Sequence, residues 1–252
     1  MMPAKIFDQT IEMFSTIVSQ RGLGSEKIQV TVGPISAEQA IGNPGRNDFA
    51  LLEGTEVMVE AQFRGSFGHA FTDQPRTFEG TINDLFNLNS AVSSDRAVFY
   101  STINAVAADL GIVKGTRHCR DDEPEKCASK IAGDLFDRFQ GATVGIIGYQ
   151  PAILDHLVQK FGVDGVRCSD LNLNNIGSLK SGSRLLDGWK DNTALIKSSD
   201  PVLVTSSTIV NGSFDDIYQE ALSREKHIIV FGVTGAAVSA LLGLERVCHF
   251  AH

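Results

Sequence analysis

The residues best suited to chemistry in this 252-residue chain fall into a few short stretches. The richest is Thr205-Ser206-Ser207-Thr208-Ile209-Val210-Asn211-Gly212-Ser213, with four hydroxyls and a carboxamide ahead of Ser213. Helix capping accounts for Asn211, Gly212 and Ser213, the last as N-cap with Asp216 three residues on. It does not account for Thr205, Ser206, Ser207 and Thr208, whose hydrogen-bonding groups suit a small polar ligand. A second stretch, Val144-Gly145-Ile146-Ile147-Gly148-Tyr149-Gln150-Pro151, reads as a strand turning into a helix. It lacks the full G-x-G-x-x-G spacing of a dinucleotide loop, and Pro151 removes one helix N-terminal donor. Asp170 follows the next strand, where an acid can accept from a ribose hydroxyl or bind a hard cation. Gly232-Val233-Thr234-Gly235 is flanked by glycines, so its backbone can approach a ligand closely.

Soft metal donors gather near the middle and the end of the chain: His118, Cys119 and Cys127, then Cys248 and His249. No C-x-x-C or H-x-x-x-H spacing occurs, which argues against structural zinc. Cys168 and Cys248 read as small core residues of strands, the usual fate of a free thiol. The metal-ligand set the sequence offers is therefore His118, Cys119 and Asp170, and the ion a transition or heavy metal. No G-x-S-x-G elbow or recognisable Cys/His arrangement supports nucleophilic catalysis, and no catalytic residue is assigned. Asn104 stands within a helix among Ile103, Ala105, Val106 and Leu110. Buried there, it must be hydrogen-bonded, either bridging to the linker or facing a cleft.

Two kinds of element must position these residues. Phe7, Ile11, Phe14 and Val18 form one stripe of a first helix, ended by Gly22 and Gly24. Alternating strands follow at 27–33 and 56–63, with Gly65-Ser66-Phe67-Gly68 as a tight connection into a strand at 69–72. The chain turns at Gly42-Asn43-Pro44-Gly45. Ser93 or Ser94 caps a helix with Asp95 in its first turn, and Gly111 closes it. Gly115-Thr116-Arg117-His118-Cys119-Arg120-Asp121-Asp122-Glu123-Pro124 is polar and aperiodic, the signature of a linker, and divides the chain into 1–114 and 115–252. Beyond it the pattern becomes βαβα. A helix carrying Cys127, Ile131, Leu135 and Phe139 precedes strands at 143–147, 163–169, 201–206, 227–233 and 246–250, with helices from Pro151, at 217–222 and at 236–242. Such strands, apolar on both faces, require a parallel sheet covered by helices.

Composition narrows the partners. Lys and Arg total 22 against 30 Asp and Glu, a net charge of −8 with no basic run. Nucleic acid and anionic membrane are thereby excluded as partners. No segment reads as a signal peptide or a membrane span, so the expected location is the cytoplasm and the cysteines are expected as free thiols. A homodimer is expected on base rate.

The order of four motifs, Gly68-His69-Ala70-Phe71-Thr72, Ile103-Asn104-Ala105, the 144–151 stretch and the 205–213 stretch, resembles the putative heavy-metal chelation family of prokaryotic proteins. The resemblance runs over nearly the whole chain. It implies an enolase N-terminal-like α+β domain followed by a Rossmann-like α/β domain, with a ligand site in the cleft between them. On this reading the second domain supplies Gly148, Tyr149, Asp170, Thr205, Ser207, Thr208, Asn211 and Thr234. The first supplies Gly68, Ala70, Thr72 and Asn104. The expected ligand is a small anionic or metal-bearing molecule. The alternative is an enzyme acting on a nucleotide-containing cofactor or substrate, such as S-adenosylmethionine or an NAD-like molecule, with Asp170 on its ribose.

Overall fold

The computed structural model describes residues 5–32, 41–49 and 56–252. Helix α1 (Ile6–Arg21) buries Phe7, Phe14 and Val18 and ends at Gly22, whose φ of 64° suits a residue without Cβ. Strands β1 (Lys27–Val32), β2 (Val57–Phe63), β3 (Ser66–Thr72) and β4 (Phe78–Thr81) form an antiparallel sheet in the order β3-β2-β1-β4. Strand β3 begins at Ser66, three residues earlier than the glycines suggested. Arg64 and Gly65 both take positive φ (47° and 89°), so a two-residue hairpin turn closes directly on the Phe63–Ser66 pair.

Helix α2 (Ser93–Asp109) lies against β3 and β2, and every residue from Arg96 to Ala107 is buried. The close approach depends on Gly68, where a Cβ would stand 2.2 Å from the Ser101 carbonyl and 2.4 Å from the Ala105 nitrogen. The expected serine cap is absent: α2 starts at Ser93 without a capping side chain, and Asp95 accepts from the Asn89 N–H instead.

The second sheet is parallel. Helix α3 (Glu123–Arg138) leads to β5 (Val144–Ile147), then α4 (Pro151–Phe161) and β6 (Val166–Asp170). A short excursion carries β7 (Leu179–Lys180), β8 (Ser183–Arg184) and β9 (Leu186–Asp187), followed by α5 (Asn192–Ser198) and β10 (Val202–Thr205). Then come α6 (Ser207–Asn211), α7 (Phe214–Ser223), β11 (Ile228–Phe231), α8 (Ala236–Leu242) and β12 (Arg246–Val247). The sheet order is β12-β11-β10-β5-β6-β9, with every pair parallel. The first of its strands in chain order therefore sits beside the fourth, the doubly wound arrangement, and strand order reverses between β5 and β10. Strand β12 is shorter than the periodicity implies, because the chain leaves the sheet after Val247 and carries Cys248 to the wall of a cavity that Cys127 of α3 also lines. The mixed α/β architecture read from the sequence, an antiparallel sheet preceding a parallel one, is the one observed.

One hydrophobic core joins the two sheets: Phe14, Val30, Phe63 and Phe99 are continuous with Val202, Val204 and Phe214. A second core lies on the far face of the parallel sheet, where Ile131 and Leu135 of α3 and Leu154 and Leu157 of α4 cover Ile146 and Leu203. The polar linker is an ordered strap. His69 donates its backbone N–H to the Thr116 carbonyl at 2.9 Å, and Arg117 exchanges two backbone hydrogen bonds with His252. The His118 N–H donates to Nδ1 of His69, which leaves Nε2 of that ring to carry the proton shared with Glu60, 2.7 Å away. Among the described residues no helix is long and apolar enough to cross a membrane.

Arg46 fastens the segment after the first turn to the parallel-sheet domain. Its guanidinium meets Asp48 at 2.6 Å, Glu125 of α3 at 2.8 Å and Asp155 of α4 at 2.9 Å. The site is partly open to water, so the network is expected to contribute only about 1 kcal/mol. Urea unfolding of Arg46→Ala at low ionic strength should show that loss, and 1 M salt should shrink it.

Candidate functional site

Where strand order reverses, the loops after β5 and β10 part and leave a cleft beyond the C-terminal strand ends. The cleft encloses about 520 Å³. Its floor is Gly148 and Tyr149 after β5, Asp170 after β6, and Thr205, Ser207, Thr208 and Asn211 around α6. Its opposite wall is the end of β3, Phe71 and Thr72, continued by Asp73. Gly148 is required here on two counts: its φ is 94°, and a Cβ would stand 2.2 Å from Cγ2 of Thr205.

Eight of the residues expected in the site line this cleft: Thr72, Gly148, Tyr149, Asp170, Thr205, Ser207, Thr208 and Asn211. Four others stand behind it. Gly68 and Ala70 pack under α2, and Thr234 is fully buried, its Oγ1 accepting the Phe71 N–H at 3.1 Å. Asn104 takes neither role expected of it. Its Nδ2 lies 3.0 Å from the His69 carbonyl and 3.1 Å from those of Val233 and Thr234, while its Oδ1 accepts the Ala237 N–H at 2.8 Å. It therefore ties α2 to β3 and to the start of α8, and with them the two sheets. Ser213 also differs from expectation: it precedes α7 without capping it, and Asn211 Oδ1 accepts from both its N–H and its hydroxyl.

The charge of the cleft comes from residues the sequence reading passed over. Asp48, Glu56 and Asp73 line it with Asp170, and among the described residues no Lys or Arg does. Burial pushes the Glu56 carboxyl up to about 7, the Ser207 hydroxyl opposing and the neighbouring Asp170 and Asp73 adding to the rise. Burial also raises Asp170, against the backbone N–H groups of Tyr149 and Asn172, which donate to it at 3.0 and 2.6 Å. Asp48 differs: the Arg46 guanidinium holds its carboxyl below the ordinary range. Only the alternation after position 56 was visible in sequence, and it made Glu56 look like a strand end.

His118 and Cys119 do not join Asp170. They line a smaller cavity of about 150 Å³ next to the cleft, with Cys127, Cys248 and a largely apolar wall. The His118 Nδ1 bonds the Cys119 carbonyl at 2.6 Å, and burial lowers its pKa to about 4, so the ring is neutral. Burial pushes the Cys119 thiol up to about 12. Cys168 is a core thiol, as its strand position implied, whereas Cys248 is half-buried at the cavity. Among the described residues no three of His, Cys, Asp and Glu are arranged to share a metal ion.

Residues 132–245 match the model of the DUF364 family, described as putative heavy-metal chelation. The chain is similar to a crystal structure of a protein of unknown function from that family in Pyrococcus horikoshii, with a TM-score of 0.54 and 16% identity over 90% of this chain and 80% of that one. It is also similar to one of unknown function from Desulfitobacterium hafniense DCB-2, with a TM-score of 0.52 and 11% identity over 74% and 72%. These likenesses are of fold. Comparison with curated proteins finds no match. The matched stretch, residues 132–245, runs from the middle of α3 to the threshold of β12 and takes in most of the parallel-sheet domain.

Proposed function

We propose that the protein binds a small cationic or metal-bearing organic ligand in the cleft between its two sheets. One observation carries the reading: four carboxylates converge there, and no cationic side chain among the described residues lines the cleft. Among the described residues, Asp48 alone of the four has an ion-pair partner, Arg46. A positive centre near Glu56 and Asp170 would offset the cost of burying their charges. The same carboxylates repel an anionic ligand, so the anionic half of the sequence-based expectation is dropped. With no three side-chain donors grouped, a metal would arrive carrying most of its own ligands. Ser207, Thr208 and Asn211 supply the hydroxyls and amide that orient such a complex. Native mass spectrometry and elemental analysis of protein purified without chelators test this. The expected result is a non-covalent adduct on the wild type that Asp73→Asn with Asp170→Asn removes. An adduct that survives the double substitution, or one that is a nucleoside polyphosphate, overturns the reading.

The position of Asp170 favours a second reading. It ends the strand beside β5 at the switch point, where a ribose-binding acid stands in doubly wound sheets. The Tyr149 N–H already donates to it, which takes one donor from any phosphate. A nucleoside bearing positive charge, such as S-adenosylmethionine, satisfies both constraints. Calorimetry should show heat with that compound, lost on Asp170→Asn, and none with ATP. Silence with every nucleoside removes this alternative.

A further inference from the structure

The smaller cavity and the carboxylate cleft share a neck. Glu56, Phe71, Tyr149, Thr205 and Ser207 line both spaces. Across it the Ser207 hydroxyl, at the start of α6, donates to the Glu56 carboxylate, at the threshold of β2, at 3.4 Å. Beyond the neck the character of the wall changes. Ile41, Phe49, Ile131, Ile153, Phe231 and Val247 enclose an inner chamber, and among the described residues Glu56 is the only acid that reaches it. Three polar groups on this wall are engaged by the protein itself. His118 Nδ1 bonds the Cys119 carbonyl, Gln150 Oε1 accepts the Ile153 N–H at 2.5 Å, and the Ser206 N–H donates to the Phe231 carbonyl at 2.8 Å.

The chamber holds about 150 Å³. An apolar cavity of that size stays dry and accepts benzene, so the room is that of one six-membered ring. A charged group would be stranded there, since nothing in an apolar wall offsets the loss of its water. Charge therefore belongs at the neck beside Glu56, with Asp73 and Asp170 on the cleft side. The acids set the sign of a guest, and the chamber sets the size of its apolar part.

We propose that cleft and chamber form one two-compartment site for a metal-free amphipathic organic cation, of which an arylalkylammonium is the simplest form, with its ring in the chamber and its nitrogen at the Glu56 neck. The inference rests on the cationic reading of the cleft and adds the apolar half of the ligand. A cation with no apolar part leaves the chamber empty. A neutral aromatic compound leaves the carboxylates at the neck without a counter-charge. A two-ring body exceeds the chamber and forces its packed wall apart.

Ligand-observed NMR titration of the full chain at mildly alkaline pH tests the site, with methylammonium, butylammonium, benzylammonium, naphthylmethylammonium and neutral benzyl alcohol. Affinity should rise about 4-fold per carbon from methyl to butyl, the gain of one buried methylene. Benzylammonium should bind about 10–100-fold tighter than methylammonium, the gain of burying one aromatic ring. Benzyl alcohol and the naphthyl compound should each bind at least about 10-fold more weakly than benzylammonium. Ala128→Leu extends a side chain of α3 into the chamber and should abolish the preference for benzylammonium while methylammonium binding stays. Should that variant misfold, the size series on the wild type decides. Equal affinities for benzylammonium and methylammonium, benzyl alcohol as tight as benzylammonium, a naphthyl compound that binds best, or no binding at all overturns the proposal. The cleft reading is judged apart from it. Methylammonium binding that is lost on Asp73→Asn with Asp170→Asn, with no gain from the ring, would keep the cation in the cleft and remove the chamber from the site.

Discussion

Replacing Asn104 by Ala should lower the unfolding free energy by about 3–5 kcal/mol, because the change strands several buried backbone groups at once. The carbonyls of His69, Val233 and Thr234 lose a shared donor, and the Ala237 N–H loses its acceptor. The position is fully buried, so water does not replace the amide without rearrangement. For a chain of this size the loss corresponds to a fall in melting temperature of roughly 10 °C. Asn104→Asp should be worse than Ala, since an ionised oxygen would then face three carbonyls. Thermal unfolding of both variants checks the order Asn, Ala, Asp. A drop under about 1 kcal/mol for Ala would show that the amide is not what holds the two sheets together. The functional side follows from the same bonds: β3 carries Phe71 and Thr72 to the cleft wall, so a loosened Asn104 junction should weaken ligand binding as well.

Glu56→Gln should act with the opposite sign, and only above mid-acid pH. An unperturbed Glu56 carboxyl would ionise near 4.5, and in the folded protein it does so at about 7. Between these values the folded state keeps a proton that the unfolded state has released, so stability falls as pH rises through that window. Below pH 4.5 the penalty is absent, and above about 7 it is complete, at roughly 3 kcal/mol. The glutamine variant escapes it. Its melting temperature should match the wild type at pH 4.5 and exceed it by roughly 6–12 °C at pH 8. If the cleft takes a cation, the same variant should bind it more weakly at pH 8, where the wild-type carboxylate is ionised. Equal stability of the two proteins at both pH values would mean that Glu56 is not a strained carboxylate.

These residues also show where sequence reasoning reaches and where it stops. The run Val144 to Ile147 followed by Pro151 announces a buried strand and the helix after it, because apolar continuity and a fixed φ are local properties. The hydroxyl-rich stretch from Thr205 could be placed at a strand end for the same reason. Strands β7, β8 and β9 are two residues each, too short for any period to appear. Glu56 carries no local sign of its environment, since its burial depends on Ser207 and Asp170, more than a hundred residues away. Cys127 and Cys248 were both visible as soft donors. That they line one cavity was not, because it depends on β12 stopping after Val247. Asn104 was singled out for the right reason, the need of a buried amide for partners, but its partners lie on two other elements that only the tertiary structure brings near.

Helix α2 has one further consequence. Its side chains from Arg96 to Ala107 are enclosed between the antiparallel sheet and helices α6 and α8, and the strap is tied down through His69 and His252. A hinge between the sheets would have to peel this helix from one of its neighbours and wet the core they share. The cleft is therefore a slot of fixed width rather than a jaw. A guest of this slot would have to enter and leave by the breathing of side chains such as Tyr149 and Phe71, its residence time would report on those rotations, and the scattering envelope of the protein should stay the same whether the slot is filled or empty.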